Sequence, residues 1–207
     1  MIRGFVLIIL TTLLIATTGC VQLRQELTIG ADNTGAFALR LAVPAARYDA
    51  MVAGDEAALP ALRPLFDPGK GAMYFPEADG FVVRAHRVYT DGEWRQLTIE
   101  GDITDLKKAL ASGRLGGFAL TTADGRTTLR VAPAAYGPIA PSDADPARRD
   151  ELRALMTGLH IQLVVRTPAD IHETTAPDKQ DRLAVWTYDM EKHRDFLEKT
   201  PDIRVSW

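Results

Sequence analysis

The side chains able to break or form bonds are few in this chain, and their spacing is poor for catalysis. The serines are Ser112, Ser142 and Ser206. None stands in a G-x-S-x-G elbow, which is the local arrangement that exposes a serine nucleophile at a strand-to-helix turn. The four histidines, His86, His160, His172 and His193, show neither H-E-x-x-H nor an i, i+4 pair, so no metal-ligating helix face is expected. His172-Glu173 is the one His–carboxylate neighbour pair in a loop-like stretch, and it reads as a solvated loop. His193-Arg194-Asp195 copies three letters of a kinase catalytic loop without its downstream Asn or any glycine-rich nucleotide loop, and it is read as chance. Glu100 and Asp102 lie two apart on one expected strand face; a glycosidase would need such a pair across a cleft. Trp94, Trp186 and Trp207 offer flat apolar faces with one donor each, the chemistry of sugar or lipid contact and equally of core packing. Arg148, Arg149 and Arg153 fall on the polar face of an expected helix, where they meet solvent or lipid phosphate.

Cysteine is the exception to this thin inventory. Cys20 is the single cysteine of the 207 residues. It follows Arg3, an uncharged run at residues 5–16 (FVLIILTTLLIA) and the small residues Thr17-Thr18-Gly19. A basic start, an apolar middle and small residues at the cleavage point are the three parts of a secretory signal. The apolar run is short of the roughly 20 residues needed to span a bilayer. The ending resembles the lipobox of bacterial lipoproteins, in which the peptidase cuts before the cysteine and the thiol carries a diacylglyceryl group, with a further acyl chain such as palmitate on the freed amine. Residues 1–19 are therefore expected to be a signal peptide and Cys20 the lipidated residue. One acyl chain binds a membrane only reversibly, whereas two or more hold it stably. Lipidation consumes the thiol, so thiol catalysis, disulfides and Cys-based metal sites are excluded.

Cleavage there leaves 188 residues, enough to bury a core without disulfides. It also removes Arg3, taking the net charge from −3 to −4. A mildly acidic, mixed surface excludes nucleic acid as the expected partner, because phosphate backbones select a basic face. No cofactor is expected.

The elements that must carry these residues alternate in hydrophobicity. Val21, Leu23, Leu27 and Ile29 oppose Gln22, Arg24, Glu26 and Thr28, and Phe37, Leu39, Leu41 and Val43 repeat the pattern beyond a turn at residues 31–35. Two further hairpins flank Asp91-Gly92 and Asp124-Gly125, dipeptides that accept positive φ. Later strands are expected around Ile161-Leu163-Val165, Leu183-Val185-Thr187 and Ile203-Val205-Trp207. Helices are expected after Pro44, from a Thr104 cap to Gly113, from Asp145-Pro146 through Leu152, Leu155, Met156 and Leu159, and more weakly around Met190, His193, Phe196 and Leu197. Pro60 and Pro64 interrupt any helix over residues 56–66. The stretch 132–146, with four prolines, is an irregular connection. The sum is an α+β fold: an antiparallel β-sheet built from hairpins with helices packed on one face, in a single extracytoplasmic domain over residues 20–207.

The chain resembles the LppM-like family of bacterial membrane-anchored lipoproteins. The residues that carry the resemblance are Cys20 running into Leu23-Leu27-Ile29, the Thr34-Gly35 turn, the Phe37 strand, the step from Asp102 to Leu110, Val164-Val165-Arg166-Thr167-Pro168, Thr175-Ala176 and the Trp186 strand. The resemblance implies an anchored extracytoplasmic domain, with lipid or glycolipid binding proposed for some members, and brings no catalytic residues. The expected function is thus non-enzymatic: a lipid-anchored envelope protein binding an amphipathic lipid, a glycolipid or an envelope protein partner. Trp186 and the Pro168 turn are the expected entrance to an apolar site between sheet and helices, with Arg166 as a headgroup contact. An envelope hydrolase with an acidic site and a ligand-free scaffold are the rival expectations. Val21 stands where inner-membrane retention calls for Asp, which points to the outer membrane of a two-membrane envelope.

Overall fold

The computed structural model describes residues 21–54, 63–67, 69–131, 158–193 and 201–207. The expected signal segment with Cys20, the expected helix from Asp145-Pro146 with Arg148, Arg149 and Arg153, the proline-rich stretch, Ser142, Pro60, Phe196 and Leu197 lie outside them.

Alternation becomes strand throughout. The chain begins with β1 (Gln22–Ile29) and turns back as β2 (Gly35–Pro44), paired antiparallel from Gln22 opposite Ala42 to Ile29 opposite Gly35. Asn33 takes φ 62° in the connecting turn, a conformation that its short side chain tolerates. Helix α1 (Ala45–Ala53) follows directly and stops at Gly54, whose φ of 87° is the left-handed ending that glycine permits. Three short 3₁₀ turns, Arg63–Phe66, Gly71–Tyr74 and Glu77–Asp79, lead into the hairpin β3 (Phe81–Asp91) and β4 (Trp94–Ile103). Helix α2 (Leu106–Ala111) leads to the hairpin β5 (Phe118–Ala123) and β6 (Arg126–Val131). Asp124 and Gly125 both take positive φ, 52° and 75°, as the tight two-residue turn requires. The described C-terminal part holds β7 (His160–Arg166), the short β8 (Glu173–Thr174) and β9 (Asp178–Gln180), β10 (Leu183–Asp189) and β11 (Arg204–Ser206).

The strands form two sheets. The larger runs β3-β4-β2-β1-β7-β10-β9 and the smaller β5-β6-β11-β8. The expected antiparallel sheet with helices on one face is corrected in two respects. The β1–β7 pair is parallel, Gln22 opposite His160 through Thr28 opposite Arg166, so the large sheet is mixed. The second sheet also contributes Phe118, Leu129, Val131 and Val205 to the same core cluster as Leu27, Leu97 and Trp186. The described residues are mostly β with a few short helices, a loose fit to the expected α+β class.

The space between sheet and 3₁₀ turns is filled rather than hollow. Phe37, Phe75 and Phe81 pack with centroids 4.7 Å (Phe37–Phe75) and 5.2 Å (each with Phe81) apart, and all are buried. Each such ring contributes roughly 1.5–3 kcal/mol by leaving water. Gln25 is a polar side chain on this core face, and its Nε2 donates to the Leu115 carbonyl at 2.6 Å. The expected cap of α2 moves by one residue. Asp105 is the N-cap, its carboxylate accepting from the Lys108 N–H, while Thr104 Oγ1 donates to the Gly80 carbonyl at 3.2 Å.

Candidate functional site

The polar half of the strand alternation lies on the outer face of the large sheet, and the registers place it in rows. Gln96, Ala42, Gln22, His160 and Asp189 form one row across β4, β2, β1, β7 and β10. The next row holds Thr98, Arg40, Arg24, Gln162 and Thr187, and the one after it brings Glu100, Ala38 and Glu26 level. Ala42 leaves its row low between long neighbours. The result is a recess of about 520 Å³ at the N-terminal end of β1.

Arg24 and Arg40 face each other directly across β1 and β2, an arrangement that is unfavourable for like charges. Glu26 offsets it: its Oε1 accepts from Arg24 Nε at 2.8 Å and from an Arg40 guanidinium nitrogen at 2.9 Å. A second Arg40 nitrogen reaches Glu100 at 3.5 Å. Arg24 also donates to Gln162 Oε1, and Gln162 Nε2 donates in turn to Thr187 Oγ1 at 3.5 Å. Gln96 is held by Asp91 at 3.2 Å and Tyr89 at 3.0 Å. The donors around the recess are therefore preoriented, and each guanidinium keeps N–H groups beyond those its partners take. Such a surface can bind phosphate and hydroxyl oxygens; it has no nucleophile held by a base.

The residues singled out in the sequence do not converge. Trp186 is 1% exposed in the core, and its indole Nε1 donates to Thr175 Oγ1 at 3.2 Å. Arg166 is exposed on the outer face, the opposite side of the sheet from Trp186, as the register of Leu163 with Trp186 and of Leu183 with Arg166 dictates. It also sits at the far end of β7 from the recess, about 20 Å along the strand from His160. Pro168 is half-buried in the turn beyond it. Glu100 and Asp102 share the outer face and are each ion-paired, with Arg40 and Arg84. Ser112 Oγ donates to the Ala109 carbonyl and Ser206 Oγ to the Glu173 carbonyl, both structural bonds. Among the described residues no group of His, Cys, Asp and Glu is placed to hold a metal ion, and no helix is long and apolar enough to cross a membrane. The recess residues were visible in the sequence only as the polar members of each alternating strand; the signal that unites them is the sheet register.

No family model matches the chain, and no curated protein matches it in sequence. Among solved structures the chain is similar to the NMR structure of the Mycobacterium tuberculosis LppM folded domain, with a TM-score of 0.48 and 12% identity over 91% of this chain and 90% of that one. Other recesses also lie among the described residues, and two of them are well defined. One is on the outer face of the small sheet, between Thr121, Arg126, Thr128 and Glu173. The other lies between α1 and the first 3₁₀ turns.

Proposed function

We propose that this chain is a non-catalytic, lipid-anchored protein on the extracytoplasmic side of a bacterial envelope, and that the recess at the start of β1 receives the polar head of an amphipathic lipid or glycolipid. The observation that carries the proposal is the position of that recess. Gln22, which lines it, is two residues from Cys20, so the two α-carbons are at most about 7 Å apart. A cysteine held in the bilayer by acyl chains brings the recess to headgroup level. The guanidinium and amide donors of Arg24, Arg40, Gln96 and Gln162 suit phosphate and sugar oxygens. Ligand tails remain in the membrane, so no hollow is needed in the aromatic-filled core. The packing of Phe37, Phe75 and Phe81 fills the space between the sheet and the 3₁₀ turns, and the helix expected from Asp145-Pro146 lies outside the described residues. For a two-membrane envelope, outer-membrane residence, argued from Val21, completes the proposal.

The test is extraction of lipids from the purified full-length protein, followed by mass spectrometry. The expected result is a defined phospholipid or glycolipid that co-purifies with the protein and is lost on joint Arg24→Gln and Arg40→Gln substitution. Retention of the same lipid by the double variant would refute binding at the recess.

A further inference from the structure

The recess between α1 and the first 3₁₀ turns is a second site, distinct from the outer face of the large sheet. Tyr48, Val52, Pro64 and Phe66 line one part of its wall, with the Tyr48 and Phe66 rings 5.1 Å apart. Arg63, Lys70 and Arg95 line the rest, and Asp67 is the carboxylate among its described lining residues. That carboxylate is occupied, accepting the Gly69 N–H at 2.9 Å and facing Lys70 at 3.5 Å. The Arg63 side chain makes no hydrogen bond or ion pair among the described residues.

Arg95 gives the strongest indication. Its guanidinium stacks 5.4 Å from the Tyr48 ring centroid and donates to Thr90 Oγ1 at 3.0 Å, but its Nε is buried with no acceptor. A buried donor without a partner is rare in a folded protein and calls for an explanation, of which an acceptor brought by a ligand is one. The wall is also stiff. A Cβ at Gly71 would lie 2.3 Å from His86 Cε1 and 2.6 Å from the Leu65 carbonyl, and His86 Nε2 is 2.8 Å from that carbonyl, so the turn is clamped onto β3.

We infer that this recess binds a small organic anion, a carboxylate or phosphate carried on a ring-sized apolar body. The anion meets Arg63, Lys70 and Arg95, and the body lies against Tyr48, Pro64 and Phe66. Both parts are needed: among the described lining residues Lys70 faces Asp67 while Arg63 and Arg95 have no carboxylate partner, which calls for an oxyanion, and the apolar wall calls for a body beside it. A volume of about 470 Å³ is in the range of small-molecule pockets.

Titration of the full-length protein in neutral detergent micelles, following the Arg95 Nε–H and Tyr48 ring resonances, tests this. Benzoate and phenyl phosphate are the ligands, with benzamide and inorganic phosphate as comparisons. Both aryl anions are expected to shift these resonances, and benzamide and inorganic phosphate to do so far more weakly. Arg63→Glu, at an exposed position where folding is not at stake, should weaken aryl anion binding at least about tenfold, and Arg130→Glu on the small sheet should leave it unchanged. Equal binding of benzamide, equal binding of inorganic phosphate, or aryl anion binding indifferent to Arg63→Glu would overturn the inference.

Discussion

The indole N–H of Trp186 and the hydroxyl of Thr175, 3.2 Å apart, join the two sheets of this protein through one oxygen. Trp186 belongs to β10 of the large sheet, and Thr175 follows β8 of the small one. The same Oγ1 accepts from the Arg204 N–H at 3.0 Å and donates to the Asp202 carbonyl at 2.8 Å. With one donor and two acceptor positions in use, the hydroxyl is saturated. Thr175→Val keeps the shape and strands the buried indole N–H, so denaturant unfolding is expected to show a loss of about 1–3 kcal/mol. Thr175→Ser, which keeps the oxygen, should recover most of it.

A second expectation concerns the aromatic cluster. A Cβ on Gly101 would lie 2.6 Å from Phe37 Cε1 and 2.5 Å from the Val82 carbonyl oxygen. The neighbour on one side is backbone and cannot swing away. Gly101→Ala is expected to cost about 1–3 kcal/mol by overpacking. Phe37→Ala, which empties the same place, should cost about 3–5 kcal/mol. Urea melts of the two variants check both the sign and the order.

Acid stability has a specific contributor in Asp105. The Lys108 backbone N–H and then the Asn33 side chain donate to its carboxylate and hold its pKa below the ordinary value. A carboxyl lowered on folding adds stability above its unfolded pKa, about 3.9, and that stability is lost as pH falls through the lower folded value. The melting temperature should therefore fall on acidification below about pH 4. Asp105→Asn retains the capping acceptor and should flatten that part of the curve. At the alkaline end, burial and then the Asp202 charge push the Tyr188 hydroxyl up to about 12. Tyr188 thus favours the folded state below its unfolded pKa near 10, and that contribution is lost as pH rises through about 12. A tyrosine that ionises only near that pH should be visible in ultraviolet titration and absent in Tyr188→Phe.

The three hairpins were legible because their information is local. Turn residues at Asn33, Gly92 and Asp124-Gly125 take positive φ between alternating strands, and each strand's partner is its neighbour in sequence. The parallel pairing of β1 with β7 was not legible: Arg24 meets Gln162 across 138 residues, and alternation looks the same in either direction of pairing. Orientation of β10 was ambiguous for a different reason. Leu183 and Val185 on one face are as apolar as Ala184 and Trp186 on the other, so the pattern did not tell that Trp186 points into the core. The recess at β1 shares the first difficulty, since its polar residues come from five strands and only the register collects them.

Anchoring has a direct genetic test. Cys20→Ser is expected to release the protein from the membrane fraction or to leave it unprocessed, because the ending Thr17-Thr18-Gly19-Cys20 resembles a lipobox and the proposed anchor is carried on that thiol. Membrane fractionation with normal cleavage would refute the lipid anchor.

The proposed function places a lipid headgroup on the outer face of the large sheet at the membrane surface. Photo-crosslinking tests it most directly. A benzophenone side chain replaces Thr187 at the rim of the recess, or Thr128 on the outer face of the small sheet as the comparison, in the full-length protein reconstituted into vesicles of envelope lipids. A lipid adduct is expected from position 187 that disappears when Arg24 and Arg40 are both changed to Gln, and little or none from position 128. Adducts from position 128 alone, or adducts at 187 that persist without the two arginines, would contradict it.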